Sequence, residues 1–555
     1  MTALLKSAAL LLATLLFGYP LAALIRHGYD TSLWLDAVPT PGRWFVLLWQ
    51  SRGQSGLIAY EAMFGGTAPG FAGGGATEAW ALFGSTAAVI GLLLAPRPAE
   101  PRRDPNATYG DARLANLRER RRMSAGLELG HDPDTGRPIR VAVRSNLLSI
   151  APPRTGKTSG LVIPNLAAPE AQAWFGPAVV IDPKGEVYRA VAERRRALGR
   201  QVRCLDPCGL VGGTDTLNPL LRANPRNILY LQRVARALLP GASGSEDAYF
   251  LNRAADAIVA GFLGARRLGT PTPVAVSRLL ADPEAFSSAL AGLRAEPAVK
   301  MHALLSAEPK TRDPILSTAQ QAFSWCDDPR LQRLTEQSSF ALTDLCAGQA
   351  DLFLTLPTED LESLAPLIRW LLTEIFTAIR RNRPRERVVI FLDEAFALGR
   401  FREIVVAASE LPGANASLWT FWQDRSQLIA TYGDAEARTL LNTAEITTVS
   451  DPALVDPDER EHWSRALGDY TLLEESRTTE AAAAGRSART TVALTPKAVR
   501  LRSAEALGRL PTEQLLVFPN SPTYAKRPLL LYKTRHDDAR LQGLVRDVGA
   551  TAAAG

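Results

Sequence analysis

With 555 residues, of which 46% are apolar and 22% charged, the chain has material for about three to four folded domains and is excluded from the disordered class. A net charge of +6 permits a nucleic-acid or anionic-membrane partner without requiring one. Four cysteines, Cys204, Cys208, Cys326 and Cys346, beside only five histidines form no closed zinc set and read as free thiols of a reducing cytosol.

The first predicted element is residues 3–25, ALLKSAALLLATLLFGYPLAALI, with Lys6 as its one charge. A membrane-spanning helix needs ~20 apolar residues for a ~30 Å hydrocarbon core, and this run suffices. A cleaved signal peptide is the alternative. It is opposed by a second apolar run at 80–95, WALFGSTAAVIGLLLA, whose Gly84, Ser85, Ala87, Ala88 and Gly91 suit close helix contact. Arg97, Arg102, Arg103, Arg113, Arg118, Arg120, Arg121 and Arg122 follow the second run, whereas the loop at 26–77 has only Arg26, Arg43 and Arg52. This bias places the long C-terminal part in the cytoplasm and the loop on the far side.

Next comes a short buried strand at 147–150, then APPRTGKTSG at 151–160, then a helix-compatible GLVIPNLAA. Strand, loop and helix are the context a phosphate loop requires. The pattern asks for glycine at position 151. Alanine there costs little if its φ is negative, and Pro152 and Pro153 stiffen the loop. Ala151, Pro152, Pro153, Arg154, Thr155, Gly156, Lys157 and Thr158 are the candidate phosphate-binding residues. Backbone N–H groups at a helix N-terminus hold phosphate oxygens. Lys157 is expected to reach the β- and γ-phosphates, and the Thr158 hydroxyl to bind Mg2+.

Three further runs read as parallel strands ending in polar groups. AVVIDPKGEVY at 178–188 leads into Asp182, Lys184 and Glu186. RVVIFLDEAFALGRF at 387–401 is a continuous apolar run ending in Asp393 and Glu394, as suits a strand covered on both faces. Asp393 is placed to hold Mg2+ and Glu394 to polarise the attacking water. SLWTFWQD at 417–424 ends in Gln423, a candidate γ-phosphate sensor. Segments 350–357 and 444–450 are additional strands. Together they predict one doubly wound α/β sheet with its ligand at the C-terminal strand ends.

Between these strands, 224–336 loses its strand signals. Phe250, Ala254, Ala257, Ile258 and Phe262 recur at helical spacing, and 274–293 is helical in character. A helix at 361–381 returns to the core. Residues 475–495 are low in complexity and expected to be a surface loop, and the final DVGATAAAG a disordered tail.

Taken in order, YGDARLA (109–115), APPRTGKTSGLVIPNL, VVIDPKGEVY, LNPL (217–220), VIFLDEAFALGRF, FWQDRSQLIATYG and LPTEQLLVFPNSPTYAKRPLLLY (510–532) resemble the segments of TraG-type type IV secretion coupling proteins. These are inner-membrane ATPases related to FtsK-like DNA translocases. The resemblance implies a RecA-like P-loop core with an inserted all-α domain and two N-terminal transmembrane helices. The domains would be a membrane anchor at 1–96, a nucleotide-binding domain at 97–223 and 337–535, an all-α domain at 224–336 and a tail at 536–555. It implies ATP and Mg2+ as cofactors, with Lys157 and Thr158 on phosphate and metal, Asp393 on metal, Glu394 as catalytic base and Gln423 as sensor. It also implies a hexameric ring at the bacterial inner membrane, with the ATPase part cytoplasmic. The partners would be inner-membrane components of a type IV secretion channel, and relaxase–DNA complexes or protein effectors as cargo. The leading function is an ATPase that delivers relaxase–DNA substrates during conjugation. The alternatives are a receptor for protein effectors without DNA pumping and an FtsK-type translocase. Some relatives place an arginine just before the glutamine strand. LPGANASLW at 411–419 has none, which leaves Arg400, Arg402 and Arg425 as nearby substitutes.

Overall fold

A computed structural model describes residues 102–546 except 223, 225, 242–244, 453–454, 481–488, 522, 525 and 536–537. Both expected membrane spans, the loop joining them and the final DVGATAAAG lie outside the described residues. Among the described residues no helix is long and apolar enough to cross a membrane. The chain divides into two compact units, Met1–Arg102 with Leu473–Thr495, and Arg103–Leu472 with Pro496–Gly555.

The strands in chain order are β1 (Arg102–Arg103), β2 (Leu127–His131), β3 (Pro138–Val141), β4 (Asn146–Ile150), β5 (Ala178–Asp182), β6 (Gln201–Leu205), β7 (Ala350–Thr355), β8 (Val388–Leu392), β9 (Ala416–Trp422), β10 (Ala444–Ser450), β11 (Asp469–Glu480), β12 (Arg489–Arg500), β13 (Gln514–Pro519) and β14 (Leu529–Tyr532). An eleven-stranded sheet has the order β3-β2-β14-β13-β10-β4-β9-β8-β5-β7-β6. From β10 to β6 every neighbouring pair is parallel, and from β10 back to β3 every pair is antiparallel. The central parallel strands are covered on both faces, and every residue of β4, β5, β8 and β9 is buried. Successive side chains in β5 alternate between two apolar cores, Val180 in one and Val179 and Ile181 in the other. The chain leaves β4 and enters β5 on the far side of β9 and β8. The site therefore opens where the strand order turns back on itself.

One expectation needs correction. The stretch at 475–495 was expected as a surface loop, but β11 and β12 occupy most of it as neighbouring strands, with 481–488 outside the described residues. β-Branched Thr471 on one arm and Thr495 and Val499 on the other suit extended strands. The expected helical character of 274–293 takes the form of two helices, Pro273–Ala281 and Pro283–Leu290. Pro283 forces Asp282 out of helical geometry (φ −121°, ψ 98°), and the freed Asp282 carboxylate accepts the N–H groups of Glu284 and Ala285, both at 3.0 Å.

Between Ile228 and Glu336 the described residues form helices and turns with no strand. They pack on Leu361–Asn382, a helix buried along nearly its whole length. Phe262 and Phe323 close on Trp370 of that helix at ring distances of 5.2 and 6.2 Å. These helices and one face of the parallel sheet share a single apolar cluster. Arg369, only 5% exposed, ties two backbone segments together: one guanidinium nitrogen donates to Leu398 O at 3.1 Å and another to Leu238 O at 2.9 Å.

Candidate nucleotide-binding site

The first wall of the site is the loop after β4. Ala151 N–H donates to Trp422 O at 2.7 Å, carrying the β4–β9 pairing one residue further. Ala151 has no positive φ, so the missing glycine costs nothing at this point. The left-handed turn comes later, at Arg154 (φ 63°) and Gly156 (φ 78°). Lys157 then enters helical geometry, followed by a π-helical turn, Thr158–Val162, and an α-helical turn, Ile163–Ala167.

The second wall is the end of β8. Lys157 Nζ lies 2.6 Å from Glu394 Oε1 and 2.9 Å from Asp393 Oδ1. Thr158 Oγ1 donates to Asp393 Oδ2 at 2.9 Å. Burial disfavours the Lys157 charge, but the two carboxylates outweigh it and raise its pKa, so the side chain is an ammonium at neutral pH. Asp393 thus faces the Lys157 ammonium with Oδ1 and takes the Thr158 hydroxyl with Oδ2. A carboxylate oxygen of this kind beside a hydroxyl is a hard-oxygen donor pair of the sort Mg2+ takes. Among the described residues no group of three or more His, Cys, Asp or Glu forms a metal cage, so phosphate and water oxygens would complete such a shell. Glu394 has a left-handed backbone (φ 60°), an uncommon conformation for a residue with a side chain.

Gln423 follows β9 directly, and β9 lies between β4 and β8. Its own N–H donates to Gln427 Oε1 at 3.1 Å, while Asp424 caps the Arg425–Thr443 helix. Asp182 ends β5, one residue beyond the Ile181–Leu392 pair. Burial raises its pKa to about 6, opposed by the Tyr188 N–H and reinforced by nearby Asp393. The sequence placed Asp182 at a strand end but gave it no role. It missed Asp451 and Lys533 altogether; Lys533 touches the phosphate loop through Thr155 O at 3.2 Å and no local motif marks either residue. Of the three candidate arginines, Arg400 pairs with Glu436 and Arg425 with Glu459, both at 3.4 Å, and Arg402 is exposed.

A parallel sheet whose central strands end in a phosphate-loop lysine, two carboxylates and a glutamine defines a RecA-like α/β protein of the P-loop class. The chain belongs to the family described as Type IV secretory system Conjugative DNA transfer, whose model matches residues 106–545. Protein VirD4 of Rhizobium radiobacter is 28% identical over 344 residues, covering 59% of this chain and 49% of the relative. Conjugal transfer protein TraG of Escherichia coli is 24% identical over 421 residues, covering 66% of this chain and 64% of the relative. The chain thus spans about half the length of the VirD4 relatives it matches, at 49–50%. Among solved structures, the plasmid coupling protein TrwB in complex with ADP and Mg2+ aligns with TM-score 0.59 and 18% identity, covering 80% of this chain and 98% of that one. TrwB with a non-hydrolysable ATP analogue aligns at TM-score 0.57 and 17% identity, over 78% and 99%. These structural likenesses are likenesses of fold.

Proposed function

We propose that this chain is an ATP-hydrolysing coupling protein that delivers relaxase–DNA substrates to a type IV secretion channel. The observation that carries the reading is the Lys157–Thr158–Asp393–Glu394 cluster, assembled across the C-terminal ends of β4 and β8. The family membership and the nucleotide complexes of TrwB support it. With it go an inner-membrane anchor at 1–96 carrying two spans, a nucleotide-binding domain at 97–223 and 337–535, an all-α domain at 224–336 that meets cargo, and assembly as a hexamer with its ATPase part in the cytoplasm.

The chemistry is in-line attack of water on the γ-phosphate. Thr158 and Asp393 would hold Mg2+, which when bound neutralises charge on the phosphate oxygens. Lys157 exchanges its two carboxylate contacts for β- and γ-phosphate oxygens and stabilises the charge that develops there. That exchange releases Glu394, 31% exposed at its side chain, to accept a proton from the attacking water. Gln423, at the tip of the strand between the two walls, orients that water or senses the γ-phosphate.

The deciding experiment is ATP hydrolysis by the full chain in lipid nanodiscs, with and without single- and double-stranded DNA. Lys157→Ala is the control and is expected to lose at least about 100-fold in turnover, the size of losing one preorganised charge-stabilising group. DNA stimulation of a Lys157-dependent rate supports the DNA-delivering reading. A Lys157-dependent rate indifferent to DNA moves the assignment to a receptor for protein effectors. Hydrolysis surviving in Lys157→Ala removes this site from the reaction.

A further inference from the structure

The residue that follows β14 touches the phosphate loop. Lys533 N–H is fixed to Glu513 O at 2.7 Å, which sets the backbone. Lys533 Nζ donates to the backbone carbonyl of Thr155 at 3.2 Å and forms an ion pair with Asp451. Asp451 is 2% exposed, and its Oδ1 has no hydrogen-bond partner. It stands just beyond the Val449–Ile150 pair, level with the start of the loop, in a left-handed backbone conformation (φ 47°). The next residue makes a second contact. A Cβ at Gly160, in the first turn after the loop, would sit 2.9 Å from Thr534 O, so the two backbones meet face to face.

The peptide joining Thr155 to Gly156 is trans, as are all peptides among the described residues. Its C=O and N–H therefore point in opposite directions within one plane. An ammonium holding the Thr155 carbonyl on one side turns the Gly156 N–H to the other. Thr155 is tied again by its own hydroxyl, which donates to Pro152 O at 2.7 Å. Burial lowers the pKa of Lys533 and raises that of Asp451, so both charges are held against their solvation preference. A buried pair of this kind contributes little net stability. Its geometric product, a fixed loop peptide, is the function that remains.

We propose that Lys533 is a positioning residue for nucleotide phosphate: by holding the Thr155 carbonyl it presents the Gly156 N–H to the phosphate groups and tightens nucleotide binding. The inference rests on the nucleotide-binding reading above and extends it to a residue 376 positions from Lys157 (533 − 157).

The test uses the full chain as Lys533→Met and Lys533→Arg. Affinity for a fluorescent ATP analogue with Mg2+, kcat, KM and melting temperature are measured on each. Lys533→Met is expected to weaken the affinity and raise KM about tenfold, the value of one hydrogen bond to a charged group. Its kcat should stay within about twofold, because the transition-state groups are untouched. Lys533→Arg, still a cationic donor, should restore most of the affinity. Unchanged affinity in Lys533→Met overturns the proposal. So does a fall in kcat and melting temperature together that Lys533→Arg fails to rescue, which assigns Lys533 to the scaffold. Failure of the wild-type chain to bind the analogue overturns the nucleotide-binding reading along with this inference. Binding that is lost in Lys157→Ala but intact in Lys533→Met overturns this inference alone.

Discussion

Asp182 and Asp351 are both buried carboxylates, and they meet the cost of burial differently. Asp351 is fully buried but paired: Arg195 reaches it with two guanidinium nitrogens at 2.6 and 2.9 Å, and Ala178 N–H donates at 2.8 Å. Asp182 has the Tyr188 N–H at 2.9 Å, with Asp393 close enough to repel it. Its carboxyl accordingly titrates near 6 instead of 3.8. A raised folded-state pKa on an acid means that the folded chain holds the proton more tightly than the unfolded chain. Stability is therefore lost as pH rises from about 4 to about 6, and the full cost stands at pH 7. Asp182→Asn is expected to stabilise the chain by about 2–3 kcal/mol at pH 7. Near pH 4 it should change little. Thermal denaturation at the two pH values without Mg2+ checks this, and an equal shift at both would refute the assignment of the cost to the Asp182 charge.

At the scale of single elements, the helix break at Asp282 gives a direct test. Removing a capping carboxylate costs about 1 kcal/mol, so Asp282→Ala should lower urea stability by that amount, and no change would mean that the cap carries no load. The same break shows what the sequence conceals. Residues 274–293 read as helical without a visible boundary, and the Pro283 ring, acting one residue back on Asp282, divides them into two helices. By contrast β4, β5, β8 and β9 were legible because each is a short apolar run closed by a polar turn, a signal held within ten residues. The site was legible for the same reason: Lys157 and Thr158 lie in one motif, and Asp393 and Glu394 end another. Lys533 and Asp451 were not, because the pairing of β10, β13 and β14 brings them to the loop, and that antiparallel order is a tertiary fact with no local trace.

Across the larger unit, the helices between Ile228 and Glu336 share one apolar cluster with the sheet among the described residues. Trp370, on the helix between the two, is packed by Phe262 and Phe323 from the helical side, and the cluster continues into Val179, Ile390 and Leu418 of the sheet. Helices and sheet should therefore open as one cooperative unit. Native-state hydrogen exchange is expected to give the most protected amides of Ser245–Arg267 and of β8 the same opening free energy within about 1 kcal/mol, whereas helices opening several kcal/mol earlier would contradict it. Arg369 adds a rigid link, since its guanidinium is shared between the carbonyl at the end of the Ile228–Leu238 helix and the carbonyl of Leu398, four residues past Glu394 (398 − 394). Stiffness is the consequence. A pull on those helices finds no soft joint in which to dissipate as local melting. If the chain works as the motor proposed above, strain would travel through Arg369 to the turn that carries Glu394, and load on the cargo and the pace of hydrolysis would become one mechanical variable.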